Sequence, residues 1–136
     1  MILPGKSWAL QFDFRNFDIQ DQGFLPDFKG QKIQAENLSN HLIVSAFLIP
    51  AKKQITAADY RDTSLENLRK SSFNLTDITT YEKDDKAFTE CMIKNAQGVK
   101  GLNQKNVHIY LIEDDTWIDL HLSKADFKEN DKRIFE

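Results

Sequence analysis

Residues 106–122 narrow the fold more than any other part of the chain. Two short runs flank Asp114-Asp115, and both alternate in polarity as paired strands do. With a two-residue loop at that dipeptide, His108 lies opposite His121, Tyr110 opposite Asp119, and Ile112 opposite Trp117. Strand geometry sends these six side chains to one side. Val107, Ile109, Leu111, Ile118, Leu120 and Leu122 go to the other. The second face is a core face. The first mixes rings, imidazoles and a carboxylate. A slip of one residue would separate His108 from His121, so anything that face does depends on register.

The remainder of the chain supplies what such a hairpin needs. Its 136 residues read as a single domain spanning 1–136, long enough to bury a core without disulfide or metal. Hydrophobic residues make up 40% and charged residues 29%, a globular balance, and ten phenylalanines imply burial dominated by aromatic bodies. The net charge of −3 and the lack of a basic stripe exclude an ordinary nucleic-acid surface. No apolar run approaches the roughly 18 residues of a membrane span. The longest, Leu42 to Pro50, is interrupted by Ser45 and reads as a strand. Cys91 is the sole cysteine, so there is no internal disulfide and no cysteine-based metal site. In mid-strand it reads as a small buried hydrophobe. The start, Met1-Ile2-Leu3-Pro4-Gly5, does not read as a signal peptide. The chain stops at Phe135-Glu136 within a reading of helix, which is expected to continue beyond 136 or to be cut short. A soluble domain follows from this, with its compartment open.

Along the chain, Trp8, Leu10, Phe12 and Phe14 alternate with polar or small residues, predicting a half-buried strand over 7–14. Residues 15–30 read as an irregular connection anchored by Phe17, Phe24 and Phe28. Gln31 to Glu36 is a weak strand, Asn37 to Asn40 a turn, and Leu42 to Ile49 a central strand covered on both faces. Thr56-Ala57-Ala58-Asp59 has the form of a capping box, and a helix to about Lys70 follows. Its inner stripe is Ala57, Tyr60, Ser64, Leu65 and Leu68. A second hairpin is predicted over 75–95 around Lys83-Asp84-Asp85-Lys86. Ser123-Lys124-Ala125-Asp126 repeats the capping pattern before a terminal helix with Phe127, Ile134 and Phe135 inward. The sum is an α+β fold: an antiparallel sheet of six to seven hairpin-linked strands with helices packed on it.

Three stretches together resemble the Mog1/PsbP-like superfamily, which includes the DcrB-like bacterial proteins. They are the apolar strand Ile43 to Pro50 followed by a helix with Asp59-Tyr60, Leu65 and Leu68; the two hairpins after that helix; and Trp117-Ile118-Asp119-Leu120-His121-Leu122-Ser123 closing the sheet. The tip at Lys83 to Lys86 departs from the glycine-rich hairpin of many bacterial members. The resemblance implies an α/β/α sandwich. It also implies a binding, assembly or chaperone-like role with another protein as partner, and it carries over no catalytic residue.

The chemistry-bearing candidates lie mostly on the mixed face of the hairpin. His108, His121 and Asp119 are a candidate divalent-metal set, since imidazole and carboxylate suit zinc and three ligands leave one open position. Ordinary cross-strand packing is the competing reading, with the rings satisfied by Asp119, Tyr110 or water. The same histidines are candidates for a pH response. Tyr110 and Trp117, with His108, His121 and Asp119, form a candidate binding surface. Trp8 and Tyr81 are further candidate interface aromatics. A third reading is a small-molecule carrier, with a pocket between the sheet and the Phe-rich segment. Catalytic signatures are missing: there is no Gly-x-Ser-x-Gly elbow, no P-loop spacing at Gly98–Gly101 and no EF-hand loop, and the acidic hairpin tips read as solvated turns.

Overall fold

A computed structural model describes residues 1, 5–26, 29–51 and 55–135. The predicted anchor Phe28 lies outside the described residues. Seven strands form one antiparallel sheet: β1 (Asp18–Phe24), β2 (Gln31–Asn37), β3 (Leu42–Pro50), β4 (Asn74–Lys83), β5 (Lys86–Lys94), β6 (Gln104–Glu113) and β7 (Thr116–Ala125). The order across the sheet is β1-β2-β3-β7-β6-β5-β4. Two meanders, β1–β3 and β4–β7, therefore meet at the β3–β7 seam. Helix α1 (Ala57–Arg69) carries the chain from that seam to the far edge. The class is α+β, as the hairpin pattern predicts.

Local chemistry fixes several of these elements. The β4–β5 and β6–β7 loops are the dipeptides Asp84-Asp85 and Asp114-Asp115, all four residues at positive φ between 44° and 59°. This is the left-handed pair that a right-twisted hairpin requires, and aspartate tolerates it better than most side chains. The register is the expected one, with His108 opposite His121, Tyr110 opposite Asp119 and Ile112 opposite Trp117. At the start of α1 the capping box is complete. Thr56 Oγ1 accepts from the Asp59 amide at 3.1 Å, and Asp59 Oδ2 accepts from the Thr56 amide at 2.8 Å.

The two sheet faces are covered differently. Helix α1 lies on one, with Tyr60 over Ala87 and Tyr110. On the other, Ile33, Ala46, Leu48 and Ile118 form the buried centre, and Met1, Trp8, Leu10, Phe12 and Phe14 pack against it. The alternation over 7–14 is therefore real: Trp8, Leu10, Phe12 and Phe14 are half-buried, and Ser7, Ala9, Gln11 and Asp13 are exposed. Yet the segment is not a strand of the sheet. It is extended chain laid across the sheet, tied to Met1 by the Leu10 amide (3.0 Å) and by the terminal ammonium to the Leu10 carbonyl (2.7 Å). Period two reports which side chains are covered, and a face can be covered without ladder hydrogen bonds.

Three other expectations are corrected. The irregular connection over 15–30 contains β1, an edge strand too exposed to show alternation. Ser123 caps no helix: Ser123 and Lys124 are buried within β7, which runs on to Ala125 before Asp126 turns at φ 51°. The tail holds a short 3-10 turn, Glu129–Ile134, in place of an α-helix. Ile134 is 37% exposed rather than inward, while Phe127 and Phe135 meet edge to face at 5.9 Å.

Both rims of the sheet are irregular. The β1–β2 register shifts between Ile19 and Asp21, and the β4–β5 register shifts between Thr76 and Thr79, where Asp77 is left-handed. Among the described residues, no helix is long and apolar enough to cross a membrane.

Candidate functional site

The mixed face of the central hairpin lies on the helix side of the sheet, and three strands build it. Strand β6 contributes Asn106, His108 and Tyr110, β7 contributes Trp117, Asp119 and His121, and β3 contributes Ser45 directly across from His121. The rings form a continuous column. His121 stacks on His108 with centroids 4.1 Å apart and planes within 5°, and His108 stacks on Tyr110 at 5.7 Å. Tyr60 of α1 then meets Tyr110 edge-on at 5.2 Å and lies flat on Trp117 at 4.7 Å. Tyr110, 2% exposed, and half-buried Trp117 are thus roofed by the helix, whereas His108 and His121 lie beyond its cover.

Each imidazole has a distinct set of partners. His108 Nδ1 is 3.0 Å from Asp119 Oδ1, and both side chains are largely buried. His121 Nε2 is 3.0 Å from Asn106 Oδ1, and its Nδ1 is 3.4 Å from Ser45 Oγ. An amide oxygen only accepts, so Nε2 of His121 carries the proton and Nδ1 receives the Ser45 hydroxyl. Gln104 extends the chain by donating to Asn106 Oδ1 at 3.1 Å. Burial, aided by the neighbouring His108, lowers the His121 pKa to about 3. Burial and then the Asp119 carboxylate push the Tyr60 and Tyr110 phenols up, and burial pushes the Cys91 thiol up. Among the described residues, the buried Trp117 Nε1 has no hydrogen-bond partner.

A pH dependence follows from His121. The unfolded chain protonates it near the ordinary 6.5, whereas the fold holds it neutral down to about 3. Its contribution is complete above pH 6.5 and is lost as pH falls from there toward 3. At about pH 5 the loss amounts to about 2 kcal/mol. Thermal melts should show His121→Gln less acid-sensitive than the wild type between about pH 7.5 and 5. Parallel curves would refute the assignment.

Beside the imidazoles lies a cleft of about 370 Å³. Leu68 of α1, Phe73, Cys91 and Ile93 of β5, and Ala96 and Gln97 form its walls, while Gln104, Asn106, His108 and His121 form its polar side. A larger hollow of about 640 Å³ lies between the start of α1 and the β4–β5 tip, but it is open and rimmed by the charged run Glu82–Lys86. The smaller, less open and more apolar cleft is the better candidate site, because apolar walls with a few convergent polar groups are what small-ligand sites share. It lies on the helix side of the sheet, away from the Phe-rich segment expected to line a pocket.

The proposed metal set is adjacent but already engaged. Asp119 faces His108, His121 is tied on both nitrogens, and among the described residues no three His, Cys, Asp or Glu side chains gather as ligands of one ion. Two candidate interface aromatics lie elsewhere. Trp8 packs on the opposite face, and Tyr81, 40% exposed, stacks on Phe88 at 4.6 Å near one rim. Sequence reasoning missed Ser45, Asn106, Leu68 and Phe73 as site residues. Two of these left a signal: Ser45 is the polar break in an apolar strand, and Asn106 is two residues before His108 and so on the same face. No protein-family model matches the chain, and no match was found among curated proteins.

Proposed function

We propose that this protein is a non-enzymatic binding module that holds a small apolar ligand in the cleft beside His108 and His121. The observation that carries the reading is the cleft itself: about 370 Å³ of space walled mainly by Leu68, Phe73, Cys91, Ile93 and Ala96, with a few polar side chains among them. That volume falls in the range of small-molecule sites. Retention rather than turnover fits the chemistry at hand. The thiol of Cys91 is held protonated by burial, and the His121 ring is fully bonded. A binding role is also what the Mog1/PsbP-like resemblance implies. The expected result is saturable fluorescence enhancement of an apolar dye such as N-phenyl-1-naphthylamine. Gln104→Trp, which places a large ring in the cleft, should weaken it at least about tenfold. A dye signal that does not saturate, or that Gln104→Trp leaves unchanged, would sink the reading.

A second reading, docking of another protein at the same end of the sheet, is favoured by one observation. Phe73 is 54% exposed where it borders the cleft, and Val99, just past the Gln97 wall, is 53% exposed. Exposed aromatic anchors beside a pocket are typical of protein interfaces.

A further inference from the structure

The cleft is not uniformly inert, and one atom in it is unspent. Asn106 and His121 satisfy each other, and Ser45 and Gln104 complete their chain. His108 differs. Its Nδ1 is engaged with the Asp119 carboxylate, its ring lines the cleft, and among the described residues its Nε2 has no protein partner. A carboxylate only accepts, so in the neutral ring Nδ1 carries the proton and Nε2 is left as a hydrogen-bond acceptor. The stack between His121 and Tyr110 fixes the plane of the ring. The acceptor is therefore held in place by a carboxylate on one side and by two rings across its faces.

The rest of the lining says what such an acceptor would meet. Leu68, Phe73, Cys91, Ile93 and Ala96 are apolar, and among the described residues no Lys, Arg, Asp or Glu lines the cleft. A charged ligand would give up its hydration there without a counter-charge. An uncharged ligand with one hydrogen-bond donor meets an acceptor already oriented for it. We infer that the cleft selects neutral, largely apolar molecules bearing a single hydroxyl donor, phenols or compact alcohols, with the hydroxyl on His108 Nε2. This rests on the cleft being a ligand site, and it names the class of ligand.

Three probes of one shape test it by calorimetry at about pH 8, above the ordinary imidazole range: 1-naphthol, its methyl ether 1-methoxynaphthalene, and 1-naphthoate. The wild type should bind naphthol about five- to tenfold tighter than the ether, the usual net value of one hydrogen bond, and naphthoate most weakly. His108→Phe should abolish the preference and keep affinity for the ether. Equal or tighter binding of the ether by the wild type overturns the inference but leaves the cleft as a ligand site. So does tightest binding of naphthoate, or a naphthol preference that survives His108→Phe. If none of the three binds, the ligand-site reading itself fails. The wild-type comparison decides between these results even if the variant does not fold.

Discussion

Replacing Tyr60 with alanine should destabilise the protein by about 3–5 kcal/mol, the range for removing a large buried ring. Tyr60 is 8% exposed and is the contact through which α1 is seated. Its ring lies on Trp117 at 4.7 Å and against the edge of Tyr110 at 5.2 Å. Beneath it is Ala87, which has no side chain able to move into the space. The void would also open water's route to Asp119, whose carboxylate holds the His108 ring in place. Urea titration of Tyr60→Ala should therefore show a large drop in midpoint. Tyr60→Phe, which keeps both ring contacts, should lose less than about 1 kcal/mol. Similar small losses in both variants would mean that the helix is held by its Leu65 and Leu68 contacts instead.

Gly30→Ala is the second large effect. A Cβ at Gly30 would be 2.4 Å from the Leu48 carbonyl oxygen and 2.9 Å from Leu25 Cδ1. The Leu25 methyl can rotate away. The carbonyl cannot, because Leu48 is fully buried in β3 between β2 and β7. Relief has to come from the backbone at Gly30 itself, whose carbonyl accepts from the Leu25 amide at 2.8 Å. A loss of about 3 kcal/mol is expected, the upper part of the overpacking range, because backbone meets Cβ. Gly23→Ala is the matched control. Nothing lies within 4 Å of its Cβ, and its stability should be unchanged or slightly raised. Equal effects at the two glycines would refute the close approach at Gly30.

These two sites differ in how far the sequence reveals them. Tyr60 sits in an amphipathic stripe behind a capping box, so its inward orientation is legible from spacing alone. The hairpin register is legible for the same kind of reason, since Asp114-Asp115 sets the loop length and every pairing follows. Gly30 gives no such sign, because its constraint comes from a carbonyl eighteen positions away. Strand β1 was hidden by its place at the rim, where Asp18, Gln20, Asp21 and Gln22 face water and the apolar alternation of a covered strand is lost. The segment over 7–14 misled in the opposite sense, because a covering chain and a paired strand bury alternate residues alike. Ser123 and Asp126 have the spacing of a cap but belong to the buried end of β7, and side-chain spacing does not distinguish the two settings. The cleft was half legible. The two imidazoles and Asp119 follow from register, but Leu68, Phe73 and Ala96 reach it from a helix end and two loops, and only the folded chain brings them there.

The uneven rims bear on what the chain does when it is crowded. A fibril spine needs a flat strand of about six or seven residues on which identical copies can stack. Strand β1 offers Asp21–Phe24 before its register breaks, and β4 offers Thr79–Lys83, ending in two charges. Each run is shorter than a stacking copy requires, and the extra twist at each break turns the remaining length out of line. Exposed Ile19 and Tyr81 therefore sit on runs too short for copies of the strand to stack on.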